Sequence, residues 1–140
     1  MIDTRTAPYA ALVLRVSMGA LFIAHALLKL LVFTLPGTVQ FFGSIGLPGA
    51  LAYVVFAAEL IGGILLVLGV QTRAVALALI PIMLGATWVH VGNGWLFSAP
   101  NGGWEYPAFW TATLAVQALL GDGAYALRLN RRAGPALQAA

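Results

Sequence analysis

The sequence predicts an all-α integral membrane protein: a four-helix transmembrane bundle with one short interfacial helix between its first and second spans. Three observations predict it. The first is composition: 61% of the 140 residues are hydrophobic, only 8% are charged, and the mean hydropathy is +0.95. A soluble domain carries about 25% charged residues, so the solvent around most of this chain is lipid. Disordered, collagenous and coiled-coil classes are excluded, since they need high polarity, a glycine repeat or charged heptads. The second is segmentation into four apolar runs. At about 20 residues per crossing, the length holds one domain of four spans with short connections. The third is the placement of the basic residues.

The spans follow in order. The first covers about 10–33 and reads as an uncleaved helix, because Arg15, His25 and Lys29 interrupt what would be a signal-peptide core. Residues 34–49 carry the turn signals Pro36-Gly37 and Leu47-Pro48-Gly49. Between them, Val39 to Ile45 is too short to cross and too apolar to float free, so it forms the short helix at the interface or in the bundle mouth. The second span, 50–70, is broken only by Glu59, and Gln71-Thr72-Arg73 is a tight polar turn. The third, 74–91, contains Pro81, whose kink a membrane helix tolerates. A Gly/Asn/Trp-rich loop, 92–106, leads to the fourth span, 107–127, which Gly121-Asp122-Gly123 can end early near Leu120. The tail from Arg128 to Ala140 is polar and frayed. No internal repeat is visible.

Seven Lys/Arg against four Asp/Glu give a net charge of +3. Arg5, Arg15, Arg73, Arg128, Arg131 and Arg132 flank one side of the spans, while the connections 34–49 and 92–106 contain no Lys or Arg. The positive-inside rule then puts both termini and the 71–73 turn in the cytoplasm of a bacterial-type inner membrane. The basic residues therefore mark topology, and no nucleic-acid partner is expected. Trp95, Phe97, Trp104, Tyr106, Phe109 and Trp110 form an aromatic belt at the outer boundary. The chain has no cysteine, which removes disulfides, thiol relays, Fe–S clusters and thiolate-bound zinc.

An ionisable residue at a span centre costs about 2.5–3.5 kcal/mol on insertion scales, so those present need a reason. Arg15, Met18, Phe22, His25 and Lys29 recur at spacings of 3 and 4, one stripe of the first span, and that stripe faces the bundle interior. Glu59 shares a row of the second span with Gly63, and Gly62-Gly63 lets another helix approach closely. Met83, Thr87 and His90 share a face of the third span. At ~1.5 Å per residue, Lys29 lies about 6 Å and His25 about 12 Å from the outer end, and Glu59 about 13 Å. His90 and Glu105 sit at the outer rim. The expectation is an outward-opening polar pocket lined by His25, Lys29, Glu59, His90 and Glu105, with Glu59, Lys29 and His25 as candidate catalytic groups. Plainer readings stand beside it. A Lys29–Glu59 pair can simply fix helix register, His25 can be a satisfied interior histidine, Arg15 reads as a snorkelling interfacial anchor, and Arg73 marks topology.

Other chemistries fit poorly. A haem between His25 and His90 would need axial ligands level across the ring, but their depths differ by about 9 Å. No zinc-ligand spacing, Walker A loop, GxGxxG or Ser/His/Asp order is present, so no metal is expected.

Several pieces together resemble the DoxX family of small four-helix membrane proteins over nearly the whole chain. They are Arg15, Gly19, Phe22, His25 and Lys29, then Phe41 and Gly46-Leu47-Pro48, then Glu59-Leu60-Ile61-Gly62-Gly63 and Leu68-Gly69-Val70-Gln71-Thr72-Arg73. Ala86 and His90, Trp104-Glu105-Tyr106 and Gly121-Asp122-Gly123 complete the series. The resemblance implies association with membrane oxidoreductases: a membrane or quinone-proximal subunit without a metal or covalent cofactor of its own, beside other membrane or peripheral subunits or further copies of itself. His25, Lys29, Glu59, His90 and Glu105 would then bind a quinone headgroup or move its protons. The alternatives are a non-catalytic assembly or scaffold subunit, and a small-solute or proton transporter.

Overall fold

The computed structural model describes residues 3–127, so the basic tail with Arg128, Arg131 and Arg132 lies outside the described residues. Among these residues the chain is all-helical. Helix α1 spans Ala7–Leu27 and opens with Pro8 in its first turn, where the missing N–H costs nothing. It runs on into a π-helical turn, Leu28–Val32, closed by Phe33 N–H donating to Leu28 O at 2.9 Å. Thr34 follows with φ +61°, a region that residues with a Cβ seldom occupy. Its hydroxyl accepts from Gly37 N–H at 3.2 Å and caps α2, Leu35–Ser44, the short helix expected between the first two spans.

Helix α3, Leu51–Leu68, ends at Gly69 with φ +74°, where Val70 N–H bonds Leu65 O and Gly69 N–H bonds Leu66 O. That left-handed glycine stop satisfies two orphan carbonyls and turns the chain directly into the next helix. Helix α4, Thr72–His90, continues through Pro81 and tightens into a 3-10 turn over Val91–Asn93. Helix α5 spans Glu105–Leu120. Of the two ends expected for the fourth span, Leu127 and an early stop near Leu120 at Gly121-Asp122-Gly123, the structure takes the early one. Gly121 and Gly123 take φ of +82° and +70°, which breaks the helix and folds residues 121–127 back across the bundle end.

Helices α1, α3, α4 and α5 surround one core, α1 contacting α3 and α5, and α4 contacting the same two. Met18, Phe22, Leu66, Ala76, Leu79, Met83, Trp110 and Leu114, drawn from all four, fill it. Large apolar side chains also cover the outside: Leu119 is 80% and Phe109 69% exposed, as a lipid-facing surface requires. Three helical rods are long and apolar enough to cross a membrane, Ala7–Val32, Leu51–Leu68 and Thr72–Asn93. At 16 residues, α5 is about 24 Å long, short of a ~30 Å hydrocarbon core.

The tightest contact is the antiparallel crossing of α1 on α3. A Cβ on Gly19 would lie 2.6 Å from Gly63 O, and one on Gly63 would lie 2.8 Å from Gly19 O. Backbone meets backbone there, so nothing can yield. This crossing aligns Arg15 with the C-terminal end of α3 and Lys29 with Glu59. Accordingly Gly19→Val or Gly63→Val should separate the helices and cost at least the ~1–3 kcal/mol typical of overpacking, read as a lower thermal midpoint in detergent. Gly85→Ala, on open surface of α4, should not lower the midpoint, since it meets no atom and favours the helix.

Candidate functional site

Two polar centres sit at opposite ends of the bundle. At one end, the π-helical turn carries Lys29 and the middle of α3 carries Glu59, which is 5% exposed. Lys29 Nζ donates to Glu59 Oε2 at 2.7 Å and to Oε1 at 2.9 Å, with side chains 17% and 7% exposed. In so little water neither charge is tolerable alone, and the pair supplies each with its counter-ion. The four-carbon stem of Lys29 crosses the gap between the helices, as the sequence pattern anticipated.

The structure does not join the other expected residues directly to this pair. Half-buried His25 engages Leu21 O through Nδ1 at 2.9 Å, and its ring stands edge-on to Trp110 with centroids 4.9 Å apart. Tyr106 completes the aromatic group, 6.4 Å from His25 and 5.4 Å from Trp110. Because a carbonyl can only accept, Nδ1 of His25 carries the hydrogen and Nε2 is left free in the neutral ring. His90 repeats this arrangement with Ala86 O at 2.7 Å, and a Cβ on Gly102 would lie 3.4 Å from its Cδ2, so its ring packs against the 94–104 loop. Glu105 is engaged in the same loop, its Oε1 accepting from Phe97 N–H at 2.8 Å. Among the described residues, no group of three or more His, Asp or Glu is placed to hold a metal ion.

The second centre is Arg15, which the sequence reading made a snorkelling anchor. It is not one: Arg15 is 1% exposed and points inward. Nη1 donates to Leu66 O at 3.0 Å and to Val67 O, Nε to Asp122 O at 2.9 Å, and Nη2 to Ala124 O at 2.8 Å. Two of these acceptors lie at the end of α3, where the dipole is negative: Val67 O lacks an intrahelical partner, and Leu66 O, already bonded by Gly69 N–H, takes Arg15 as a second donor. The other two lie on the fold-back, so one guanidinium ties α1, α3 and the 121–127 segment together. Close packing enforces this: a Cβ on Gly69 would lie 2.8 Å from Arg15 Cζ, and one on Gly123 2.7 Å from Pro8 O. Asp122 completes the end by accepting Thr72 N–H at 3.2 Å through Oδ1, capping α4 from outside its own chain segment. The signal was present in the sequence, since Arg15 lies on the same 3/4 stripe as buried Met18 and Phe22.

A helical membrane protein with a carbonyl-caged arginine at one end and a buried Lys–Glu pair near the other is the class that fold and sites define. The DoxX family profile matches residues 10–92, and the chain belongs to that family. It is also similar to "Putative oxidoreductase CatD" of Bacillus subtilis (strain 168), at 48% identity over 75 residues. That match covers 54% of this chain and 54% of the relative, so the aligned part spans about half of either protein. No solved structure matches the chain.

Replacing Arg15 should be more damaging than its peripheral position suggests. Arg15→Met leaves the carbonyls of Val67, Asp122 and Ala124 without a donor, Leu66 O keeping Gly69 N–H, and Arg15→Lys supplies three donors without the planar fork. At about 1–3 kcal/mol per unsatisfied buried group, Arg15→Met should lose 3 kcal/mol or more, with Arg15→Lys intermediate, measured by thermal unfolding in detergent.

Proposed function

We propose that this DoxX-family protein is the membrane, quinone-proximal subunit of a redox-associated complex, and that the Lys29–Glu59 pair is the centre of its site. The observation that carries this reading is the pair itself, two opposite charges held 2.7 Å apart on packed helices beside the His25–Tyr106–Trp110 aromatic group. A quinone headgroup offers two carbonyls to donors and a flat face to aromatic rings, and its reduction consumes protons. Lys29 supplies a donor, Glu59 and the free Nε2 of His25 supply proton acceptors, and Tyr106 and Trp110 supply stacking faces. The name of the Bacillus subtilis relative favours redox chemistry. In this reading the chain would hold no metal or covalent cofactor of its own, and electrons would pass to and from a partner subunit.

In this reading α5 crosses the membrane with the three longer rods. Arg5, Arg15 and Arg73 lie at the bundle end carrying the N-terminus, which the positive-inside rule assigns to the cytoplasm of an inner membrane. The Lys29–Glu59 pair then lies in the outer half, and His90 and Glu105 form its rim.

A second reading has its own observation. Lys29 occupies both oxygens of Glu59, as a register lock between α1 and α3 in a scaffold subunit would. Removing one partner strands a buried charge, whereas removing both does not. The double variant Lys29→Met/Glu59→Gln is therefore the informative one. It should stay folded in nanodiscs and bind a short-chain quinone at least tenfold more weakly than the wild type, read by tryptophan quenching. A folded double variant that binds as tightly as the wild type would leave the pair only its structural role. The charge-swapped variant Lys29→Glu/Glu59→Lys should fold in either case, while each single reversal should be lost from the membrane.

A further inference from the structure

We propose that Trp110 and His25 select the reduced, quinol form of the occupant over the quinone, through an indole N–H and an imidazole nitrogen that the protein leaves unpaired. This rests on the quinone reading above and adds the redox state that the site is built to hold.

The ion pair at this end of the bundle is self-contained, since Lys29 Nζ donates to both oxygens of Glu59, at 2.9 and 2.7 Å. Its neighbours are not. One turn before Lys29 on α1, His25 places its Nδ1–H on Leu21 O, which leaves a lone pair on Nε2 with no donor among the described residues. Trp110 is 4% exposed, and its Nε1–H meets no acceptor among them either. Indole is a donor only, so nothing but an acceptor brought to it can satisfy that hydrogen. Buried donors are nearly always paired, and one left alone bears its whole desolvation cost. Packing does not call for the nitrogen, because Phe22 meets the ring at 4.7 Å in a contact that any aromatic residue could make. The other buried side-chain atoms in this state, Thr72 Oγ1 and Gln117 Oε1, belong to residues bonded to Asp122 and Gly121 at the Arg15 end.

The two unpaired groups are adjacent and of opposite kind. The rings of His25, Trp110 and Tyr106 form a triangle with centroid separations of 4.9, 5.4 and 6.4 Å, so one headgroup can reach both. Tyr106 is 40% exposed and also lines an open groove of about 460 Å³ with Trp95, Phe97 and Phe109. Displacing that single ring opens the way from the groove to Trp110 and His25. Whatever enters must offer Trp110 an acceptor and His25 a donor. A quinone carbonyl only accepts, so it pairs with Trp110 and has no hydrogen for His25. A quinol hydroxyl does both. The Tyr106 hydroxyl can donate or accept, and therefore does not discriminate. A site that bonds a hydroxyl rejects the analogue lacking it far more strongly than packing differences allow. Trp110 thus anchors either form, and His25 supplies the preference.

The test is anaerobic equilibrium binding of duroquinone and duroquinol to the protein in nanodiscs, with empty nanodiscs correcting for partition into lipid. The wild type should bind duroquinol about tenfold or more tightly than duroquinone. Each tenfold raises the two-electron potential of the bound couple by about 30 mV, a second readout of the same preference. Trp110→Phe should weaken both forms severalfold and leave their ratio unchanged. His25→Phe should weaken duroquinol alone and erase the ratio. Equal affinities in the wild type, or a preference for duroquinone, would overturn the inference and leave the quinone reading standing. So would a preference that survives His25→Phe, or affinities that Trp110→Phe does not change. Binding of neither form would remove both.

Discussion

A charge in a medium that cannot solvate it must be solvated by the protein, and this constraint organises the whole molecule. Arg15 meets it most completely. Its guanidinium is taken up by four backbone carbonyls, two at the end of α3 and two on the fold-back, and among the described residues no carboxylate is one of its hydrogen-bond acceptors. Helix ends are where such carbonyls stand unpaired, so the arginine and the end of α3 resolve each other's deficit. The early stop of α5, the glycine-bearing fold-back and the Asp122 cap on α4 all sit around that contact.

The opposite end meets the same constraint differently. Lys29 and Glu59 neutralise each other across the α1–α3 interface, whose close approach depends on Gly19 and Gly63. A caged arginine is saturated by groups that cannot titrate, which suits a structural joint. A Lys–Glu pair consists of two groups that can each exchange a proton, which suits a site. The two ends of one helix pair thus carry a rigid anchor and the pair proposed as the site's centre, and rigidity at the first holds the second in register.

Much of this was legible in the residues. The 3/4 stripe through Arg15, Met18, Phe22, His25 and Lys29 gave the inward face of α1, and Gly62-Gly63 marked the close crossing beside Glu59. Depth and the four-carbon stem put Lys29 within reach of Glu59 or Glu105, and it meets Glu59. What periodicity could not reveal were features created by other segments. Arg15 looked like an anchor because its partners are backbone carbonyls some 50 to 110 residues away, which have no side-chain signature. Glu105 was placed in the pocket by depth, yet its carboxylate is engaged by the N–H of Phe97. The π-helical turn at Lys29 was invisible as well, since Leu28 to Val32 is an ordinary apolar run with no glycine or proline.

The central claim is that Lys29 and Glu59 stand as an ionised pair inside the membrane-embedded bundle. Solid-state NMR of the protein in lipid bilayers, with ¹⁵N-labelled lysine and ¹³C-labelled glutamate, tests it most directly. The lone lysine of the chain makes the nitrogen signal unambiguous. An ionised pair gives strong dipolar coupling between the Lys29 ammonium nitrogen and the Glu59 carboxyl carbon, with the carbon at a carboxylate shift. Absence of that coupling, or a Glu59 carbon at the shift of a neutral acid, would contradict it.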